Sequence, residues 1–204
     1  MLTLNYHGGL AIALSALLLA ANVQASSLCA GSENTAITAT TPSADFSDNG
    51  DGTVTHHTTE LIWQRCSLGQ SWDGTDCTGE VTTYTWGDAF AAGAGSTLGG
   101  FSDWRLPNKN ELASIVEYRC YQPAINNQQF PNTPSAMYWS SSPIARDRYY
   151  AWYVNFLSGY VSYGDKGYGP HGRYGRVRLV RDALEEPSGE PGIETINGTS
   201  ENRK

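Results

Sequence analysis

Short apolar segments between residues 45 and 182 predict β-strands. Their content of β-branched and aromatic residues is typical of strands. These segments are 53–65 (two strands with a turn at 57–59), 137–142, 149–156, 159–163 and 176–181. Leu157 and Ser158 lie between two of the segments and predict a hairpin turn.

Two further segments have the capping residues and spacing of helices. Thr85 stands as an N-cap with Asp88 three residues later, and glycines from Gly93 onward end this helix. Asn108 is the N-cap of the second helix, with Glu111 at its third position. Helical spacing predicts one apolar face on each helix. In the first helix this face contains Trp86, Ala89 and Phe90, and in the second Leu112, Ile115, Val116 and Arg119 follow at helical spacing. Helices in the middle of the chain with strands on both sides indicate an α+β domain.

The N-terminal sequence predicts export. Residues 10–21 read LAIALSALLLAA, and Val23 and Ala25 fit the small-residue site of signal peptide cleavage. The run is too short to span a bilayer, so we expect no membrane span after cleavage. The alternative is a buried N-terminal helix. The mature protein is predicted in the periplasm, on the cell surface or secreted.

Composition divides the chain into four parts. A signal peptide at 1–25 precedes an arm at 26–44, which is small and polar and predicted to be extended. Residues 45–182 form the domain. Residues 183–204 are rich in Glu, Pro, Gly and Ser without apolar periodicity, which predicts disorder.

The four cysteines predict two disulfides. An even number in an exported chain favours disulfides, and the spacing is unlike that of a zinc site. Cys66 and Cys77 flank a short glycine-containing segment and form the local pair, which leaves Cys29 to pair with Cys120.

Charge is unevenly distributed along the chain. The net charge of −7 argues against nucleic acid as a partner. Residues 146–181 are nevertheless basic, with seven bases and two acids, so this segment is suited to an anionic ligand. The alternative is a set of solvated strand residues paired with the acidic remainder.

Several motifs occur together in the order typical of one family. The most specific are Trp104-Arg105-Leu106-Pro107-Asn108 with Glu111-Leu112, and Tyr138-Trp139-Ser140-Ser141-Ser142. Over residues 45–182 the chain resembles the C-terminal domain family of the Legionella collagen-like adhesin. Its Arg-Leu-Pro-x-x-x-Glu element is also similar to that of formylglycine-generating-enzyme domains.

The resemblance implies a C-type-lectin-like fold: two helices, a small and mainly antiparallel sheet, long loops, and paired N- and C-terminal strands. It further implies adhesion to a host or cell-surface component, binding of sulfated glycans, and a homotrimer. Within the motifs we expect structural roles, including an ion pair between Arg105 and Glu111. The motif residues with these roles are Trp104, Arg105, Pro107, Asn108, Glu111 and Trp139.

A ligand site is predicted in the basic segment. Guanidinium groups match sulfate and carboxylate oxygens, tyrosines offer flat faces to sugar rings, and glycine-rich loops allow close approach. The predicted ligand-binding residues are Lys166, Tyr168, Arg173, Tyr174, Arg176 and Trp72, which is the tryptophan expected to be most exposed because it lies between Cys66 and Cys77. The other five tryptophans are predicted to be core residues: Trp63, Trp86, Trp104, Trp139 and Trp152. The alternative for the loop is a flexible segment with solvated charges.

We expect no metal and no cofactor. Asp48, Asn49 and Asp51 resemble part of a calcium loop, but the bidentate glutamate is missing, so a turn is favoured. Gln122-Pro123-Ala124 lacks the third ligand of a calcium-dependent sugar site.

No catalytic constellation is found. There is no cysteine after Cys120 for copper chemistry, and the adjacent His56 and His57 are expected to point to opposite faces of a strand. A non-catalytic binding module is therefore predicted. The alternatives are an assembly or structural protein that binds a protein partner, and an enzyme of unknown type.

Overall fold

The computed structural model describes residues 27–167 and 174–183. The predicted signal peptide, the tail from residue 184, and residues 168–173 lie outside the described residues. The described part contains two α-helices, α1 (Trp86–Ala94) and α2 (Lys109–Ala113), and eleven β-strands. The strands are β1 (Ser32–Glu33), β2 (Phe46–Asp48), β3 (Thr53–His56), β4 (Leu61–Gln64), β5 (Ser71–Trp72), β6 (Cys77–Thr78), β7 (Cys120–Tyr121), β8 (Met137–Ile144), β9 (Asp147–Asn155), β10 (Tyr160–Asp165) and β11 (Val180–Asp182). This is a mixed fold with few helices, as predicted.

The strands form four antiparallel sheets rather than one. A four-stranded sheet has the order β11-β4-β3-β2, and a three-stranded sheet has the order β10-β9-β8. The pairs β1-β7 and β5-β6 are two-stranded. The last strand of the domain pairs with β4, where Val180 lies opposite Trp63, so early and late segments share a sheet.

The strand predicted at 176–181 is shorter than expected. Before Val180 the chain makes only isolated bridges, from Gly175 to Tyr84 and from Arg176 to Tyr138. Residues 177–179 are buried and lie outside any named strand. The apolar residues of this segment are apolar because their side chains are buried. The sequence pattern alone does not show whether a buried segment also pairs with a neighbouring strand.

The hairpin of β9 and β10 is the one predicted at Leu157 and Ser158. Asn155 lies opposite Tyr160, and Gly159 in the turn has φ +79°. A Cβ at Gly159 would lie 2.4 Å from Val116 Cγ1. Glycine is therefore needed both for the turn conformation and for the close approach of the loop to the segment after α2.

Both helices begin at the predicted caps. The Thr85 side chain accepts from Asp88 N at 3.2 Å, and Asn108 with Glu111 forms a complete capping box. The prediction that Phe90 faces the core is wrong: its side chain is 41 % exposed, and the buried positions of α1 are Ala89 and Gly93.

Helix α2 is also shorter than its spacing predicted. The chain leaves the helix at Ser114, and Val116 then bridges to Ile125. Ile115 and Val116 are buried as predicted, but they reach the core from the segment that follows the helix.

Two hydrophobic clusters hold these elements together. One joins α2 to the inner faces of both large sheets through residues such as Leu112, Val54 and Val154. The other joins α1 to β8, β9 and the segment before β11 through Ala89, Trp139 and similar residues. Trp63, Trp104 and Trp139 are buried as predicted, whereas Trp86 and Trp152 are only half-buried.

The N-terminal arm is fastened to the domain. The two predicted disulfides are present, with Cα–Cα distances of 5.3 Å for Cys29–Cys120 and 5.4 Å for Cys66–Cys77. Next to the first disulfide, β1 pairs with β7. Further along the arm, Thr41 N donates to the buried Glu117 carboxylate at 2.7 Å.

Candidate functional site

The basic segment is divided between the interior and the surface. Arg178 and Arg181 are buried, and so is Lys166, whose residue is 6 % exposed. The Lys166 ammonium donates to the Arg148 carbonyl at 2.8 Å and lies 4.0 Å from the centroid of the Trp86 ring. Lys166 therefore supports the fold, and we correct its assignment as an exposed ligand contact.

Arg178 shows why a basic segment can be structural. Its guanidinium donates to the carbonyls of Gln64 and Arg65 and to Thr133 Oγ1. Burial lowers its pKa to about 10, while attraction to Tyr138 acts in the opposite direction. The group remains a cation at neutral pH, and its charge is directed to backbone carbonyls inside the domain.

The other predicted ligand residues do not form one cluster among the described residues. Tyr174 is 60 % exposed, and Arg176 is half-buried. Tyr168 and Arg173 lie outside the described residues. Trp72 lies on β5, in a different sheet and next to the Cys66–Cys77 disulfide.

Three aromatic rings instead meet on one face of the β10-β9-β8 sheet. Tyr163 lies opposite Trp152 in the ladder, and Tyr150 is two residues from Trp152 on the same strand face. The Tyr163 ring makes edge-to-face contacts with Trp152 (centroids 5.8 Å apart) and with Tyr150 (5.9 Å). Tyr163 is 42 % exposed, so the cluster lies at the surface.

Two cations flank these rings. The Arg146 guanidinium lies 5.8 Å from the Tyr163 ring centroid and donates to Tyr163 Oη at 3.2 Å. The Lys109 ammonium, at the start of α2, lies 5.2 Å from the Trp152 ring centroid. We call Lys109, Arg146, Tyr150, Trp152 and Tyr163 the aromatic platform.

The cations of the aromatic platform form no ion pairs within the described part of the chain. The cations of the five ion pairs found there are Arg65, Arg105 (in two pairs), Arg119 and Arg181. A pocket of about 340 Å³ adjoins Arg146 and is lined by Ile144, Arg146, Asp147, Tyr150 and Tyr163. The platform thus combines flat rings, unpaired positive charge and a concave surface.

The position of the platform follows from how α2 packs. Trp152 and Val154 point to the same face of β9, and Val154 is buried in the cluster that contains Leu112 of α2. Helix α2 covers the Val154 end of this face. Its first residue, Lys109, reaches Trp152, and the next residue on this face, Tyr150, is half-buried.

The residues that resemble a calcium loop form a turn between β2 and β3. Asp48 pairs with Arg65, and Asp51 accepts from Thr53 N at 3.0 Å and from Thr53 Oγ1 at 2.6 Å. Asn49 donates to Thr53 Oγ1 at 2.9 Å. Within residues 27–167 and 174–183, no three His, Cys, Asp or Glu side chains are grouped as metal ligands.

The residues of the Trp-Arg-Leu-Pro-Asn motif hold the molecule together. The predicted ion pair is present: Arg105 donates to both oxygens of Glu111, at 2.8 and 3.0 Å, and to Asp182 at 2.6 Å. The Pro107 carbonyl accepts from Ser141 N at 2.7 Å. These contacts join α2, β8 and β11.

The two tryptophans of the motifs are anchored in the same way. Trp104 Nε1 donates to the Leu98 carbonyl at 2.9 Å, and Trp139 Nε1 donates to the Tyr84 carbonyl at 3.0 Å. A Cβ at Gly175 would lie 2.8 Å from the Trp139 ring, so glycine is needed beside it. Both indoles are thus fixed inside the domain.

A family model for the Lcl C-terminal domain matches residues 52–181, which is more than half of the chain. The match includes both motifs, the β9–β10 hairpin and most of the four-stranded sheet. The chain belongs to the Lcl C-terminal domain family. No curated protein matches it.

For this Lcl domain, the family and the two disulfides support an extracellular location. Among the described residues no helix is long and apolar enough to cross a membrane.

None of the five platform residues of this Lcl domain is among the ligand-binding residues predicted from the sequence. Trp152 was predicted to be a core residue, and no role was predicted for Lys109. The hairpin turn at Leu157 and Ser158 fixes the register that places Tyr163 opposite Trp152, so the aromatic pair could have been found from the sequence. The approach of Lys109 depends on how α2 packs on the sheet, which the sequence does not show.

Proposed function

We propose that this Lcl domain is an exported, non-catalytic binding module that recognises sulfated or otherwise anionic glycans through the aromatic platform. The observation that carries the proposal is the contact of two cations with three clustered aromatic rings. Neither cation has an ion-pair partner in the described part of the chain, and Arg146, Tyr150 and Tyr163 also line a surface pocket. The C-type-lectin-like fold and a place at the cell surface belong to the same proposal.

The chemistry of the platform suits a sulfated sugar chain. The Arg146 guanidinium can donate two parallel hydrogen bonds to one sulfate group. The faces of Trp152 and Tyr150 suit the apolar faces of sugar rings, and the Tyr163 hydroxyl adds a polar contact. Asp147 also lines the pocket, with Oδ1 accepting from Tyr149 N at 2.9 Å. We therefore place sulfates at Arg146 and Lys109, and sugar rings on the aromatic faces.

Exposed tyrosines on the same sheet favour a second candidate, which is binding to a protein partner. Tyr149 and Tyr160 are both exposed, and tyrosines are enriched in protein interfaces. The homotrimer implied by the family resemblance is one form of this proposal. Sedimentation velocity of the mature protein tests the homotrimer directly, since a single monomer species at high concentration would contradict it.

The proposal is tested by glycan binding at low and high salt with the double variant Lys109→Ala/Arg146→Ala. We expect the wild type to bind heparin at low salt and to lose affinity as salt screens the charges. The double variant should bind at least tenfold more weakly because both cations of the platform are gone.

The matched control is Arg148→Ala. Arg148 is also exposed and also lies over a tyrosine, at 4.8 Å from the Tyr149 ring centroid, but it is outside the platform. The control should keep most of the wild-type affinity. The single variant Arg146→Ala removes one charge, as Arg148→Ala does, and is compared with it directly. Equal weakening by the two would indicate non-specific charge attraction, and no heparin binding by the wild type would refute the proposal.

A further inference from the structure

A second pocket lies beside the Cys66–Cys77 disulfide and shares no lining residue with the first. It measures about 260 Å³ and is lined by Asp51, Gly52, Gln64, Cys66, Gln70, Ser71, Trp72 and Leu98. Its lining combines one large aromatic ring, apolar atoms of Leu98 and the disulfide, and several amide, hydroxyl and carboxylate groups. From this pocket we propose a binding site for an uncharged sugar unit, with Trp72 as the stacking face and Asp51, Gln64 and Gln70 as hydrogen-bonding groups.

The Trp72 ring is held in position from outside the pocket. The Arg65 guanidinium lies 4.2 Å from the ring centroid and is not among the lining residues. Arg65 is buried and engaged within the fold, because it pairs with Asp48 and donates to the carbonyls of Gln128 and Gln129. It therefore orients the indole from outside the pocket.

The polar groups of the pocket are partly uncommitted. Gln64 is 7 % exposed, and its Oε1 accepts from Leu179 N at 3.4 Å, while no hydrogen bond joins its Nε2 to another described residue. Asp51 uses Oδ1 to accept from Thr53, which leaves Oδ2 for a ligand donor. Because Gln64 lines the pocket, its amide N–H groups are available to a ligand oxygen.

The shape of the pocket depends on a glycine. Gly52 has φ +86°, and a Cβ there would lie 3.1 Å from Trp72 Cβ. A side chain at this position would crowd the indole and fill the floor of the pocket. The absence of a side chain keeps the space beside Trp72 open.

The charge of the site selects its ligand. Asp51 is the charged group among the lining residues, and it disfavours a sulfated or carboxylated sugar. The Gln70 amide accepts from Ser67 N at 3.2 Å and donates to the Asn132 carbonyl at 3.4 Å, which leaves its second N–H for a ligand. A neutral pyranose offers hydroxyl donors to Asp51, hydroxyl acceptors to the Gln64 amide and this Gln70 N–H, and an apolar face to Trp72. The two pockets of the domain therefore differ in the charge of the ligand that they accept.

The test is a titration of the mature protein with methyl α-mannopyranoside, methyl β-galactopyranoside and N-acetylglucosamine. The indole N–H signals of the six tryptophans are followed by ¹H–¹⁵N NMR, and the Trp72 signal is assigned by its loss in Trp72→Phe. We expect at least one sugar to shift the Trp72 signal saturably, with a dissociation constant on the order of 1–10 mM. No saturable shift up to about 100 mM of any of the three sugars would overturn the proposal.

Two variants locate the binding. Asp51→Asn keeps an Oδ1 acceptor for Thr53 but removes the charge, and it should weaken binding about tenfold. The control Glu80→Gln removes one charge from an exposed residue outside the lining and should leave the affinity unchanged. Equal effects of the two variants would contradict the site.

The test also separates this site from the aromatic platform. Lys109→Ala/Arg146→Ala should leave the neutral sugar titration unchanged even if heparin binding is lost. Loss of neutral sugar binding in that variant would place the sugar on the platform and overturn the second site. A stronger response of Trp72 to tetramethylammonium than to any sugar would likewise overturn it, in favour of a cation site.

Discussion

At the scale of single residues, two buried charged side chains, Glu117 and Arg178, are held by hydrogen bonds to backbone groups. Glu117 is fully buried and accepts from the backbone N–H groups of Thr40, Thr41 and Arg119 at 3.0, 2.7 and 2.9 Å. Arg178 plays the opposite role and donates to carbonyls. Such groups connect distant segments of chain, because each binds partners that are far apart in the sequence.

Glu117→Gln is predicted to destabilise the domain by about 2–4 kcal/mol at neutral pH. The neutral amide replaces an acceptor of several charge-assisted hydrogen bonds, each of which contributes about 1.5–3 kcal/mol. Thermal or urea unfolding measures the loss. Glu80→Gln, on the exposed surface, is the control and should change stability by less than about 0.5 kcal/mol.

The same carboxylate predicts a pH dependence. Burial on its own raises the pKa of Glu117, but the N–H groups of Thr40, Thr41 and Arg119 outweigh it and hold the pKa below the ordinary value of 4.5. The stabilisation is therefore complete above pH 4.5 and is lost as the pH falls through the lower pKa of the folded state. The difference between wild type and Glu117→Gln should shrink as the pH falls below 4.5. A difference that is the same at pH 7 and at pH 3 would show that the charge of Glu117 is not what stabilises the arm.

The contacts of a side chain were predictable where its partner is close in the sequence. Arg105 and Glu111, for example, are six positions apart and form the expected ion pair. The burial of Lys166 was not predictable in the same way. Its carbonyl partner on Arg148 belongs to β9, and contact with Trp86 requires α1 to pack nearby. Only the tertiary arrangement distinguishes a buried lysine from an exposed one.

At the scale of elements, caps and turns fix where the chain changes direction. The capping box of α2 was readable from Asn108 and Glu111, and the β9–β10 hairpin from Leu157 and Ser158. The end of α2 was not readable, because apolar spacing continues through Val116 while the backbone turns to pair with Ile125. Helix length here is decided by contacts made outside the helix.

Asn108→Ala is predicted to cost about 1 kcal/mol of stability, because it removes an N-cap side chain that accepts from Asn110 N and Glu111 N. Asn110→Ala, within the same short helix, is the matched control and should have a smaller effect. Chemical denaturation of both variants measures the difference. A loss for Asn110→Ala as large as that for Asn108→Ala would mean that the cap is not important.

At the scale of the whole molecule, two disulfides of very different span hold the domain together. Cys29–Cys120 joins residues 91 positions apart and fastens the arm, whereas Cys66–Cys77 spans 11 positions and closes one loop. Cysteine count and compartment predicted two disulfides, and the short separation of Cys66 and Cys77 predicted the pairing. The division into four sheets was not predictable, since it depends on which strands meet in space.

Replacing Cys29 and Cys120 with Ser is predicted to destabilise the protein more than replacing Cys66 and Cys77. In the chain-entropy model the long loop contributes about 4.5 kcal/mol and the short loop about 3 kcal/mol. Urea unfolding of the two double variants under oxidising conditions gives the comparison. A larger loss for the Cys66/Cys77 variant would show that local packing around the short loop outweighs chain entropy.

The aromatic platform is the central functional claim, and mapping of a bound heparin hexasaccharide by ¹H–¹⁵N NMR tests it most directly. At low salt we predict shifts centred on Lys109, Arg146, Tyr150, Trp152 and Tyr163, with the Trp152 indole signal moving and the Trp72 indole signal unchanged. The shifts should decrease as salt is added. Shifts centred on another surface, or a spectrum that heparin leaves unchanged at low salt, would contradict the account.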